Sequence, residues 1–236
     1  MSLESMPKSK NTIEIPQEAV IVLDFDDTLF DSNKLKELFF GRLASDLWKS
    51  TEYIDGLYKQ SKEVGSRWFE EFSRLLNLSQ EEVLRILEKI IISQPSGLIF
   101  EDAKNFMEKA KSLGHQVVIL TAGPRDFQIT KIKAAFKKAG INFEGDIIVV
   151  TSKEDKIPEL KERASASWKA IMFFDDRLPQ WVSSINGLVP VLVAREGVET
   201  QGDELAGARI SSFEQVKFGQ GWPEWSTAFS LVRVLS

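Results

Sequence analysis

Val22-Leu23-Asp24-Phe25-Asp26-Asp27-Thr28-Leu29 joins an apolar run to a cluster of acids. Residues 19–25 have the length and the β-branched content of a strand buried on both faces, as in the interior of a parallel sheet. The acids follow directly, where the strand ends and water and ions have access. An Asp in this position often does no more than cap the next turn. The rest of the chain decides between that reading and a chemical one.

Similar apolar runs recur at 116–120, 146–150, 170–174 and 189–194, with helical patterns between the later ones. Residues 101–113 put Ala103, Phe106, Met107, Ala110 and Leu113 on one stripe, and Gly114 supplies the stop. A second helix is expected over 125–139, with Ile129, Ile132 and Phe136 on one face and Gly140 after it. Alternation of this kind predicts an α/β fold, a three-layer, Rossmann-like and mostly parallel sheet. Ligands in such folds bind at the carboxyl ends of the strands.

About seventy residues separate the first strand from the 101–113 helix, far more than an ordinary connection, and they read as helix. Ser79 and Glu82 form a capping box, followed by Val83, Ile86, Leu87 and Ile90 on one stripe. The expected organisation is a flexible segment 1–18, a core of 19–30 and 99–236, and an inserted helical cap of 31–98. Trp222, Pro223 and Trp225 near the end of the chain offer apolar bulk for docking on the core.

Composition excludes several classes. The 236 residues carry a formal net charge of -5 and no cysteine, so there is no basic footprint for nucleic acid, no disulfide framework and no thiolate chemistry. Neither a signal-peptide core nor an apolar run of about 20 residues is found, and no membrane partner is expected. A cytoplasmic location fits this composition. No feature bears on the oligomeric state.

Two more strand ends carry chemistry. Leu120-Thr121-Ala122-Gly123 places a hydroxyl and small residues ahead of a helix, a setting that suits phosphate. Phe173-Phe174-Asp175-Asp176 supplies a second acidic pair. Two such pairs at the ends of strands in one sheet would repel each other, and a bound cation is the economical remedy.

Together these stretches resemble the motifs of the haloacid dehalogenase-like superfamily, in its order and on its strands, over residues 19–194 including the cap. The resemblance implies an aspartyl-phosphate mechanism with Asp24 as nucleophile and Asp26 as the acid and base. It implies Mg2+ held by Asp24, the main-chain carbonyl of Asp26, Asp175 and Asp176, with phosphate bound by Thr121, the amides near Ala122 and Gly123, and a lysine. Lys156, just before Pro158, is favoured for that lysine, and Lys153 is the second candidate. An acid at the position of Asp26 is generally missing from relatives that cleave carbon–halogen or carbon–phosphorus bonds, which favours a phosphatase. A phosphoreceiver domain would place its acidic pair first and its lysine last, unlike this chain.

A cap over the strand ends favours a small phosphorylated metabolite as substrate. Lys34, Lys36, Arg67, Trp68 and Arg125 are candidate contacts by position, although charged residues commonly solvate helices and Trp68 would equally suit the cap's own core. His115, the only histidine, is expected to be structural or exposed. Two alternatives remain on the same residues: a phosphotransferase or mutase, and a binding protein that keeps the fold without turnover.

Overall fold

The computed structural model describes residues 12–166 and 169–219, so the Trp222, Pro223 and Trp225 segment lies outside the described residues. Six strands form the main sheet: β2 (Val20–Leu23), β3 (Val117–Ala122), β4 (Asp146–Val150), β5 (Ile171–Asp175), β6 (Leu188–Val193) and β7 (Ala208–Ile210). Their order is β4-β3-β2-β5-β6-β7, and every pairing is parallel. After β2 the chain builds one side of the sheet, then crosses to build the other from β5. This reversal at β2 creates the crevice in which α/β folds bind ligands.

Alternation along the strands feeds two cores. Ile21, Leu23, Ile119, Met172 and Phe174 face one side, where they meet α5 (Glu101–Ser112) and α6 (Arg125–Ala139) through Ala103, Phe106, Ile132 and Phe136. Val20, Val22, Val118, Leu120, Ile171 and Phe173 face the other, against Leu160 of α7 (Lys156–Ala166) and the 182–185 turn. Both sheet faces are therefore dry, which is why these strands read as continuous apolar runs.

The insertion contains α1 (Ser32–Leu47), α2 (Thr51–Lys62), α3 (Trp68–Leu75) and α4 (Gln80–Ser93). Ser79 and Glu82 complete their capping box at the start of α4. Phe39, Phe40, Tyr58, Trp68 and Phe72 pack edge to face or tilted in the cap interior. Two chain passes connect cap and core: Asp31 N–H donates to Leu98 at 2.9 Å and Phe100 N–H to Leu29 at 3.0 Å. Among the described residues no helix is long and apolar enough to cross a membrane.

One expectation needs correcting. Residues 1–18 were expected to be flexible, yet Ile13–Ile15 form strand β1, paired in parallel with β8 (Val216–Phe218). The physical reason is alternation: Ile13 and Ile15 are buried in the main core while Glu14 faces out.

Arg195 ties the loops around the first acidic motif together. Its Nε donates to the Thr28 carbonyl at 2.8 Å, its Nη1 reaches Asp102 of α5 at 3.1 Å, and its guanidinium lies 3.9 Å from the Phe100 ring centre. Asp102 also accepts from Ser212 Oγ at 2.9 Å and Phe213 N–H at 2.8 Å. Burial opposes the charge on Asp102, but Arg195 and these donors outweigh it and hold its carboxyl below the ordinary range. Asp102→Ala leaves a buried guanidinium without its partner and is expected to cost about 3 kcal/mol in urea unfolding at neutral pH. A depressed pKa stabilises above the unfolded value of about 3.9, so the gap between wild type and variant should narrow as the pH falls below about 4.

Candidate active site

β2, β3 and β5 are neighbours, and their ends bring Asp24, Thr121 and Asp175 to one crevice. The crevice is a cavity of about 700 Å³ between core and cap. Asp24, Asp175, Asp176, Thr121 and Lys156 line it and are all buried. Lys156, at the start of α7, donates from Nζ to Asp24 Oδ1 at 2.7 Å and to Asp175 Oδ2 at 2.7 Å. Arg177 N–H occupies the other oxygen of Asp175 at 2.8 Å, and its guanidinium lies 3.3 Å from Asp176.

Three buried carboxylates thus face one buried ammonium and a half-exposed guanidinium. The imbalance appears in their protonation. Burial pushes Asp24 up to about 7; Lys156 opposes the rise, and the negative neighbours Asp175 and Asp26 add to it. Burial, followed by Asp24 and Asp175, pushes Asp176 up to about 9. Lys156 is raised, because its two carboxylate partners outweigh its own burial.

Ligand oxygens of Asp24, Asp175 and Asp176 lie within 4.8 Å of one another, close to the roughly 4.2 Å that two opposite bonds of about 2.1 Å to one hard dication span. All three are oxygen donors, and the acids outnumber the two cations beside them. The residues therefore fit Mg2+. The Asp26 side chain is not in this group, so its place in the expected ligand set rests on its main-chain carbonyl alone.

The carboxyl of Asp26 turns toward α6. Its Oδ1 accepts from Lys131 Nζ at 2.5 Å and from the Ser32 hydroxyl, and its Oδ2 accepts from Gln128 Nε2 at 2.9 Å. Burial would raise its pKa, but Lys131, Ser32 and Gln128 reverse the effect and hold Asp26 below the ordinary carboxylate range. It rests as an anion, the form able to take a proton.

Several expected contacts are placed differently. Gly123 N–H donates to Val150 at 2.8 Å, so pairing of the strands continues past Thr121 and that amide is not open to phosphate. The Ala122 carbonyl accepts from Gln128 Nε2 at 2.7 Å. Lys153 borders the cavity, but its Nζ meets Gln201 at 2.5 Å and no carboxylate. Lys34 pairs with Glu37 on the outer face of α1, and Arg67 points to solvent. Arg125 lines a separate groove beside Leu84. Trp68 and Lys36 border the cavity. His115 is buried, with Nδ1 3.1 Å from the Ala19 carbonyl, and lies away from the site.

The cap wall also contains Lys62, which the motif reading missed; its Nζ sits 3.9 Å from the Trp68 ring centre and 4.9 Å from that of Tyr58. Gln128 and Lys131 were missed as well. Both fall on the buried stripe of α6 with Ile132 and Ala135, and a polar residue on such a stripe is the signal that could have found them.

A parallel sheet carrying a buried aspartate at the end of β2, a lysine from the following layer and a second acidic pair defines a hydrolase on a Rossmann-like core. The model of the haloacid dehalogenase-like hydrolases matches residues 19–185, and the chain belongs to this family. No curated protein is similar enough in sequence to be matched. Among solved structures it is similar to the magnesium-bound HAD-hydrolase YfnB of Bacillus subtilis, at 16% identity and a TM-score of 0.57, covering 84% of this chain and 96% of that one. It is also similar to the L-2-haloacid dehalogenase RSc1362, at 15% identity and a TM-score of 0.53 over 84% and 96% of the two chains. A third likeness is to CbbY of Rhodobacter sphaeroides in complex with phosphate, at 18% identity and a TM-score of 0.51 over 83% and 95%. At these identities the likeness carries the fold.

A dication held by the three carboxylates should stabilise the protein. At a hundredfold excess over its dissociation constant, Mg2+ is expected to add about 2.7 kcal/mol, or about 5–10 °C in Tm for a chain of this size. Asp175→Asn should abolish most of that shift in a thermal melt. An undiminished shift in the variant would show that the ion binds elsewhere.

Proposed function

We propose that the protein is a Mg2+-dependent phosphatase that hydrolyses a small phosphorylated metabolite through an aspartyl phosphate on Asp24. The observation that carries this reading is Asp26. It supplies a carboxyl two residues from the nucleophile, it borders the cavity, and its side chain stays apart from the three cation-binding carboxylates. A phosphatase needs such a group twice, to protonate the leaving oxygen and to take a proton from the attacking water. Displacement of a halide needs no protonated leaving group.

The other residues have clear tasks. Lys156 orients Asp24 and opposes the protonation that burial favours, as an attacking oxygen requires. The Thr121 hydroxyl, at the end of β3, is available to a phosphate oxygen. Mg2+ would be held by Asp24, Asp175 and Asp176 and would offset the charge of the phosphoryl group. The cavity of about 700 Å³ suits a metabolite, and Phe39, Phe40, Tyr58 and Trp68 give it an aromatic wall on the cap side.

Phosphate release from a library of phosphate monoesters, with and without Mg2+, tests the proposal. Asp24→Asn should reduce turnover by more than about a thousandfold, the order seen when a covalent nucleophile is lost. Asp26→Asn should cost about a hundredfold to ten-thousandfold. Turnover that survives Asp24→Asn would end the covalent mechanism.

A further inference from the structure

Helix α6 buries two polar side chains to which the mechanism above gives no task, Gln128 and Lys131, which are 5% and 3% exposed. Lysine is almost never buried this deeply unless it is paired. The Lys131 ammonium lies among the rings of Phe25, Phe30 and Phe127, 5.5 to 5.8 Å from their centres, and its carboxylate partner is Asp26. The two donors stand three residues apart on one helix face and grip opposite oxygens of the same carboxyl. Gln128 is fixed in turn by the Ala122 carbonyl. Gly123 permits this approach: it has a φ of +142°, and a Cβ there would stand 3.0 Å from Gln128 Nε2.

This grip has a physical purpose. The crevice holds four other acids, Asp24, Asp27, Asp175 and Asp176, and a cation bound among them would draw any loose carboxylate toward itself. Asp26 lies next to that cluster in sequence. An aspartate free to rotate about its side-chain bonds would become a further metal ligand and be lost to proton transfer.

We infer that Gln128 and Lys131 are positioning residues, which reserve Asp26 for proton transfer and set the direction from which it meets the leaving-group oxygen. The inference rests on the phosphatase reading. In the first half-reaction the Asp24 oxygen–phosphorus bond forms, the ester oxygen–phosphorus bond breaks, and Asp26 relays a proton taken from solvent to the departing alcohol. In the second, water oxygen bonds to phosphorus, the Asp24 bond breaks, and a water proton returns to Asp26. Both steps require the same carboxyl within hydrogen-bond reach of the reacting oxygen.

Phenyl phosphate and p-nitrophenyl phosphate, assayed with Mg2+, test this, because they are close in shape and p-nitrophenolate leaves without needing a proton. Lys131→Met should lower kcat/KM about 10- to 100-fold on phenyl phosphate, the scale of a misplaced reacting group, with KM little changed. On p-nitrophenyl phosphate the loss should stay below about threefold. In an Asp26→Asn background the same substitution should cost less than about twofold, because a residue acting through Asp26 has nothing left to position. Without metal, the urea midpoint should fall in Lys131→Met and recover in the Lys131→Met/Asp26→Asn double variant. Gln128→Met runs through the same kinetic cycle and carries the test if Lys131→Met does not fold. Equal losses on both esters, or losses that multiply in the Asp26→Asn background, would overturn the positioning role and leave the phosphatase reading intact. A wild-type protein that frees phosphate from neither ester nor any library member would remove the phosphatase reading, and this inference with it.

Discussion

The structure depends on one lysine. Lys156 stands between Asp24 and Asp175, two carboxylates brought in from separate strands, and all three side chains are buried. An ion pair buried so deeply contributes little net stability, because desolvation cancels much of the attraction. Here it fixes geometry. With Asp176 beside them the acids still outnumber the cations, and the site is left with a standing demand for positive charge that a dication would meet.

Everything else serves to bring these charges together and keep them distinct. A parallel sheet points all its carboxyl ends the same way, and the reversal at β2 opens the gap between β3 and β5 into which they project. Helix α6 works on two fronts. Phe127 meets Trp68 and Phe69 of the cap, each with ring centres 5.2 Å apart, while the next turn holds Asp26 away from the other acids. Arg195 and Asp102 stiffen the loop after β2 from behind.

Much of this was legible in the sequence. Five of the apolar runs correspond to β2 through β6 to within two residues at each end, because a strand with two dry faces leaves an uninterrupted apolar record. The acidic pairs stood out because ionised groups directly after such a run can lie only at its open end. The capping box on Ser79 was equally plain, being wholly local. What escaped was set by distance along the chain. β1 and β8 are three residues each and pair across some two hundred positions, too short to leave a pattern. Lys131 looks like Lys133 and Lys137, its neighbours on α6, until Asp26 is placed opposite it. Pairing also takes up the Gly123 amide, which no local rule could anticipate. Lys34, Arg67 and Arg125 lie near the motifs in sequence, and the local helix geometry turns each of them away from the cavity.

An all-parallel sheet also has a consequence for how the molecule comes into being. No two adjacent strands of the main sheet can close as a hairpin, so each pairing must wait for a long crossover to be laid down. The helices between Ser32 and Ser93 have mostly nearby partners and can condense early, whereas the meeting of Asp24 with Lys156 spans 132 positions. Loops of that length close slowly, and topology of this kind lengthens the search. Competence for chemistry is then among the last properties the newly made chain acquires.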